Sequence, residues 1–98
     1  MQTKEIQVQY KINEHGCPVV TKTPKAYASV EFTPQTDLQK QTVEIVGNRR
    51  GLKNLATWLL ALADQDSYLD HQHFDNEVNF GFFKETNGIQ LIVSRVGK

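Results

Sequence analysis

A chain of 98 residues, 39% hydrophobic and 22% charged, has the size and balance of one domain with one core. Eleven basic and eleven acidic residues cancel to a formal charge of zero, which excludes a uniformly cationic surface of the kind that grips nucleic acid or an anionic membrane. Its one cysteine, Cys17, excludes an internal disulfide; the start of the chain has no signal-peptide run, and the longest apolar stretch, Trp58–Ala63, is too short to cross a bilayer. The expected compartment is the cytoplasm.

Residues 4–12 alternate, with Ile6, Val8, Tyr10 and Ile12 on one side and Gln7, Gln9 and Lys11 on the other. That period predicts a half-buried strand. Asn13–Gly16 has the composition of a turn. Cys17, Val19 and Val20 suit a short strand, which Pro18 and Pro24 confine to an edge because proline donates nothing to a ladder. Residues 26–33 alternate again, placing Ala28, Val30 and Phe32 inward and Ser29 and Glu31 outward. Residues 34–37 read as a reversal. Residues 41–46 form the next predicted strand, with Val43 and Ile45 inward, and the two strands are expected to pair as an antiparallel hairpin.

The strongest helical signal follows. Asn48 is a good N-cap, since its side chain can accept from a free amide of the first turn. At 100° per residue, Leu52, Leu55, Ala56, Leu59, Leu60, Leu62 and Ala63 share one broad arc, and Arg50, Lys53, Asn54, Thr57 and Asp64 lie opposite. Trp58 falls on the shoulder, with one side expected to be exposed. Gly51 costs the helix about 1 kcal/mol relative to alanine, so a close backbone contact is expected to compensate.

Beyond the helix, residues 71–75 predict a short strand and residues 78–84 another, with Val78, Phe80 and Phe82 on one face. Asn87-Gly88 is the best hairpin signal, because a type I′ turn needs two positive φ angles. Residues 89–96 complete the sheet, with Ile89, Leu91 and Val93 inward. The chain therefore reads as a single α+β domain over residues 1–98: a mostly antiparallel sheet of five to six strands with one long helix packed on one face. The second face is largely polar. Tyr27, Phe83 and Ile92 are exceptions that offer a contact between two copies of the chain.

Three groups of residues carry possible chemistry. His71, His73 and Asp75 are spaced by two, so in a strand they point to one side and suit a zinc ion with an open fourth position; the alternative is a polar, wet strand face. Asn48, Arg49 and Arg50 at a helix N-terminus suit an anion such as phosphate; the alternative is surface arginines pairing with nearby acids. No nucleophile motif surrounds Cys17 or any serine. The third group is a charge asymmetry. Residues 64–85 carry Asp64, Asp66, Asp70, Asp75, Glu77 and Glu85 against one lysine, Lys84, a formal −5. Such a patch suits steering of a basic partner, with Trp58 and Tyr68 as candidate aromatic anchors beside it; the alternative is a solvated rim with no partner.

The run Val43-Glu44-Ile45-x-Gly47-Asn48-Arg49-x-Gly51-Leu52-x-x-Leu55-Ala56, the apolar helix, His71-x-His73-x-Asp75 and Leu91-Ile92-Val93 with a basic end resemble the immunity protein 32 family of bacterial polymorphic toxin systems. The resemblance spans about residues 42–96 and leaves the preceding residues as added strands. It implies a small cytoplasmic protein, without catalytic activity or cofactor, that binds and neutralises a toxin encoded by its own genome. Gly47, Asn48, Gly51, His71, His73 and Asp75 match motif positions. The leading expectation is therefore occlusion of a cognate toxin by the acidic surface, through Trp58, Asp64, Asp66, Tyr68, Asp70, Asp75 and Glu77. The alternative is a metal-binding protein or small metal-dependent enzyme. A homodimer through the uncovered sheet face is compatible with either.

Overall fold

A computed structural model describes residues 1–20, 23–33, 42–64, 69–75 and 81–97. Its elements are β1 (Lys11–Ile12), β2 (Pro18–Val19), β3 (Ala28–Thr33), β4 (Thr42–Gly47), α1 (Arg49–Ala63), β5 (His71–Phe74) and β6 (Leu91–Ser94). The α+β class agrees with the sequence. The single sheet of five to six strands does not form among the described residues, where the strands associate as three antiparallel pairs: β1 with β2, β3 with β4 and β5 with β6.

Each departure has a local cause. Of the alternating stretch 4–12, just Lys11–Ile12 enters a ladder, opposite Pro18–Val19. The turn between them closes as composition predicted: Asn13 Oδ1 accepts from the amides of His15 (2.9 Å) and Cys17 (3.0 Å), and Gly16 adopts φ 78°. At the other end of the chain, Asn87 (φ 54°) and Gly88 (φ 70°) make the expected left-handed turn, closed by Ile89 N–H to Thr86 O at 2.9 Å. Its two arms then diverge. Strand β6 pairs with β5, from His71↔Ser94 to Phe74↔Leu91. The preceding arm instead joins the free edge of β3 in parallel, through Ala28 N–H to Phe82 O (2.9 Å) and Lys84 N–H to Ala28 O (2.8 Å). Thr86 Oγ1 continues along that edge to Val30 O at 3.1 Å. The reversal at 34–37 and the start of the expected strand 78–84 lie outside the described residues.

The β3–β4 hairpin has the expected register, from Ala28↔Gly47 to Thr33↔Thr42. Burial along it is the correction. The half nearest the helix is enclosed on both sides, so Ala28, Ser29 and Val30 are all buried. The distal half is not covered, leaving Phe32, Val43 and Ile45 (43%, 65% and 48% exposed) as an apolar strip on one face. Phe83, expected outside, is inside.

The helix is also turned from its expected orientation. Its buried line is Gly51, Asn54, Leu55, Trp58, Ala61 and Leu62, whereas Leu52, Leu59 and Leu60 are exposed. The shift is roughly 100° around the axis. Gly51 explains it. A Cβ at this position would lie 1.8 Å from Tyr27 O and 2.3 Å from Tyr27 C. Helix and chain can approach that closely where the side chain is a hydrogen atom, and this contact fixes which side of α1 faces inward. Trp58 then enters the core, where its large apolar area is worth more than that of a leucine. It meets Phe74 edge-on (6.1 Å between ring centroids, 82°), and Phe74 packs in turn on Phe82 and Phe83. Ala26, Ala28, Val30 and Leu55 complete this cluster.

The joint between helix and hairpin is a single asparagine. Asn48 Oδ1 accepts from Gly51 N–H (2.8 Å), as an N-cap should, and also from Tyr27 N–H (3.0 Å). Its Nδ2 donates to Lys25 O (2.7 Å), and its own N–H to Tyr27 O (3.0 Å). Arg50 Nη1 adds a bond to Pro24 O at 3.0 Å. Gly47, Asn48 and Gly51 thus form a socket for the backbone of residues 24–27, a turn with Lys25 at φ 60° that leads into β3. Among the described residues, no helix is long and apolar enough to cross a membrane.

Candidate functional site

The anion candidate, Asn48 with Arg49 and Arg50, coincides with this socket. An anion at the N-terminus of α1 would draw on the amides of its first turn and on the two arginines. The amide of Gly51 and both functions of the Asn48 side chain are instead spent on the chain itself. Arg49 and Arg50 line a shallow depression with Lys25 and Asn48, but Arg50 also bonds Pro24. The arrangement holds two segments together.

The metal candidate also separates. His71 and His73 do share a strand face and are exposed, with ring centroids 5.4 Å apart. Asp75 lies past the end of β5 and is buried at 7% exposure. Among the described residues, no three His, Cys, Asp or Glu side chains gather in a way that could hold a metal ion. The spacing by two holds within the strand and fails one residue beyond it, where the chain bends.

At the far end of α1, charged groups do converge. The last carbonyls of a helix lack intrahelical donors and carry the negative end of its dipole. No basic residue lies in the last turn of α1. Arg95, arriving from β6, supplies that charge: its Nη1 donates to Leu62 O (2.8 Å) and Asp64 O (3.0 Å). The Arg95 amide also donates to Asp70 O at 2.6 Å. Tyr10 OH donates to Asp64 Oδ2 at 2.5 Å. Asp70 Oδ1 pairs with His71 Nδ1 at 2.7 Å while its side chain stays 73% exposed. That hydrogen bond, aided by the charges of His71 and Arg95, holds the Asp70 carboxyl below its usual value. Beside the arginine a small depression is lined by Leu59, Leu62, Ala63, Val93, Ser94 and Arg95.

This end therefore presents two exposed carboxylates, Asp64 and Asp70, around a guanidinium whose bonds point inward. Asp75 is buried away from them. Trp58, at 4% exposure, belongs to the core and offers no side to solvent. Asp66, Tyr68 and Glu77 lie outside the described residues. Reasoning from the sequence did not single out Tyr10 or Arg95. The alternation of 4–12 assigned Tyr10 to a strand interior. Arg95 was visible just as part of a basic end, although a helix with no cation of its own in its last turn invites one from elsewhere.

Neither a curated protein nor a solved structure matches the chain. One protein family does: the model of immunity protein 32 matches residues 42–96, from the first residue of β4 to just past β6. That span takes in the Gly47–Gly51 socket, all of α1, the β5–β6 pair and the charged end built on Asp64, Asp70 and Arg95. It covers more than half of the chain, and the chain belongs to the immunity protein 32 family.

Proposed function

We propose that this protein is the non-catalytic antidote to a cognate bacterial toxin, and that it acts in the cytoplasm by docking an acidic surface over the toxin's working face. Family membership supports the immunity role. One structural observation favours the acidic end as the docking face. Asp64 and Asp70 stand exposed at the terminus of a rigid helix, next to the run that also contains Asp66, Tyr68 and Glu77. Carboxylates displayed this way raise the encounter rate with a basic partner and penalise wrong ones. Affinity then comes from a few desolvated anchors, and Tyr68 is assigned that part.

The test is co-expression with the toxin encoded beside it. The parent chain should restore growth. A triple reversal, Asp66→Lys with Asp70→Lys and Glu77→Lys, should slow association about tenfold or more at low salt and flatten its salt dependence. Rescue and association rate unchanged in a folded triple variant would refute the acidic-face mechanism, and failure of the parent chain to protect would refute the immunity role.

A further inference from the structure

Helix α1 carries a second apolar strip. Leu52, Ala56, Leu59 and Leu60 fall within one arc, about 110° around the axis from the buried line of Leu55, Trp58 and Leu62. Leu52, Leu59 and Leu60 remain 42%, 39% and 52% exposed. The N-terminal segment lies along this strip. Ile6–Gln9 form one wall of an apolar groove whose other wall is Leu52, Lys53, Ala56 and Thr57. Farther along the helix, the Tyr10 hydroxyl reaches Asp64. Residues 1–10 belong to no strand, and all but Val8 and Tyr10 are exposed. The segment is thus attached by side chains, not by a ladder, and by contacts that are half open to water. Local openings are drawn from such segments, which among the described residues have few buried apolar contacts and no strand ladder.

We propose that residues 1–10 are a detachable strap that partly covers the outer apolar strip of α1 and lifts from it without unfolding the domain. The alternation of Ile6, Val8 and Tyr10 is what such a strap needs. Val8 and Tyr10 are its half-buried residues, and the Tyr10 hydroxyl is the tie at its end. The segment stands as one wall of the groove, so the strip is partly covered while the strap is down and offered whole when the strap lifts.

The experiment uses the full-length chain. Ile6→Ser with Val8→Ser should increase the fluorescence of the apolar probe anilinonaphthalene sulfonate several-fold. It should also speed tryptic cleavage after Lys4, while the cooperative thermal transition stays in place. Adding Leu52→Ser and Leu60→Ser to that variant should return the probe signal to the parent level. Tyr10→Phe keeps the ring and removes one hydrogen bond, so cleavage after Lys4 should rise by roughly two- to tenfold. Three results would overturn the proposal. One is unchanged probe binding in the Ile6/Val8 variant. Another is a probe signal that survives the two leucine substitutions. The third is loss of the cooperative transition together with unchanged cleavage in Tyr10→Phe, which would make the segment an integral part of the core.

Discussion

Gly51→Ala separates two forces that act in opposite directions at one residue. Helix propensity alone favours the change by about 1 kcal/mol, since glycine is the poorer residue in a helix interior. Packing opposes it. The added Cβ would sit 1.8 Å from Tyr27 O, 2.3 Å from Tyr27 C and 2.7 Å from Tyr27 N, all of them backbone atoms with no rotamer to yield. Restoring ordinary contact at about 3.5 Å requires the helix and residues 24–27 to part by roughly 1.7 Å. That displacement breaks the bonds between Asn48 and Tyr27 at 3.0 Å, each contributing about 1 kcal/mol. Overpacking adds about 1–3 kcal/mol. The net expectation is a loss of about 2–4 kcal/mol, or roughly 10–25 °C in the thermal midpoint for a domain of this size. Urea unfolding followed by far-UV circular dichroism measures it, with Ala56→Gly on the exposed side as the control, expected to lose about 1 kcal/mol. A midpoint that rises in Gly51→Ala would show that propensity governs this position and that the socket is not tight.

Further expectations follow from the core and the charged end. Phe74→Ala removes the ring on which Trp58, Phe82 and Phe83 converge, and should cost about 3–5 kcal/mol by chemical denaturation. Arg95→Met retains apolar length but leaves Leu62 O and Asp64 O without their donor; about 1–3 kcal/mol should be lost, with faster hydrogen exchange in the last turn of α1. Asp70 is held below its ordinary value of 3.8, so its contribution is fully present above that pH and disappears as pH falls through the lowered value. Asp70→Asn should therefore lower the urea midpoint slightly near neutral pH and converge on the parent in strong acid. A difference that persists or grows in acid would contradict the assignment.

Local chemistry was legible in the sequence where one residue type has one physical use. Asn48 read as a cap and is one; Asn87-Gly88 read as a left-handed turn and is one; the hairpin of residues 28–33 and 42–47 pairs as its alternation indicates. What could not be read was which surfaces meet. The leucines of α1 form a nearly continuous apolar arc, and hydrophobicity alone centres the buried side on Leu52 and Leu59. The contact between Gly51 and Tyr27 turns it toward Trp58. Pairing partners were hidden for the same reason. Residues 82–84 and 91–94 flank one good turn, yet one arm bonds β3 and the other bonds β5. At the charged end, Asp64 and Asp70 were identified from charge alone, while Arg95 and Tyr10 reach them from remote parts of the chain.

The bonds of Asn48 to residues 25 and 27 also bear on the order in which the molecule assembles. Tyr27 and Asn48 are 21 residues apart and Lys25 and Asn48 are 23, whereas Thr86 and Val30 are 56 apart. Closing a shorter loop costs less chain entropy, and the N-terminal half leaves the ribosome first. The hairpin, the socket and the first turn of α1 are therefore expected to close before residues 82–86 arrive on the other edge of β3. In pulsed hydrogen exchange during refolding, the amide of Asn48, bonded to Tyr27, should be protected ahead of that of Lys84, bonded to Ala28; the reverse order would remove this account. Ala28 would then wait as an open platform, one strand short of its partner, until the aromatic residues seal it.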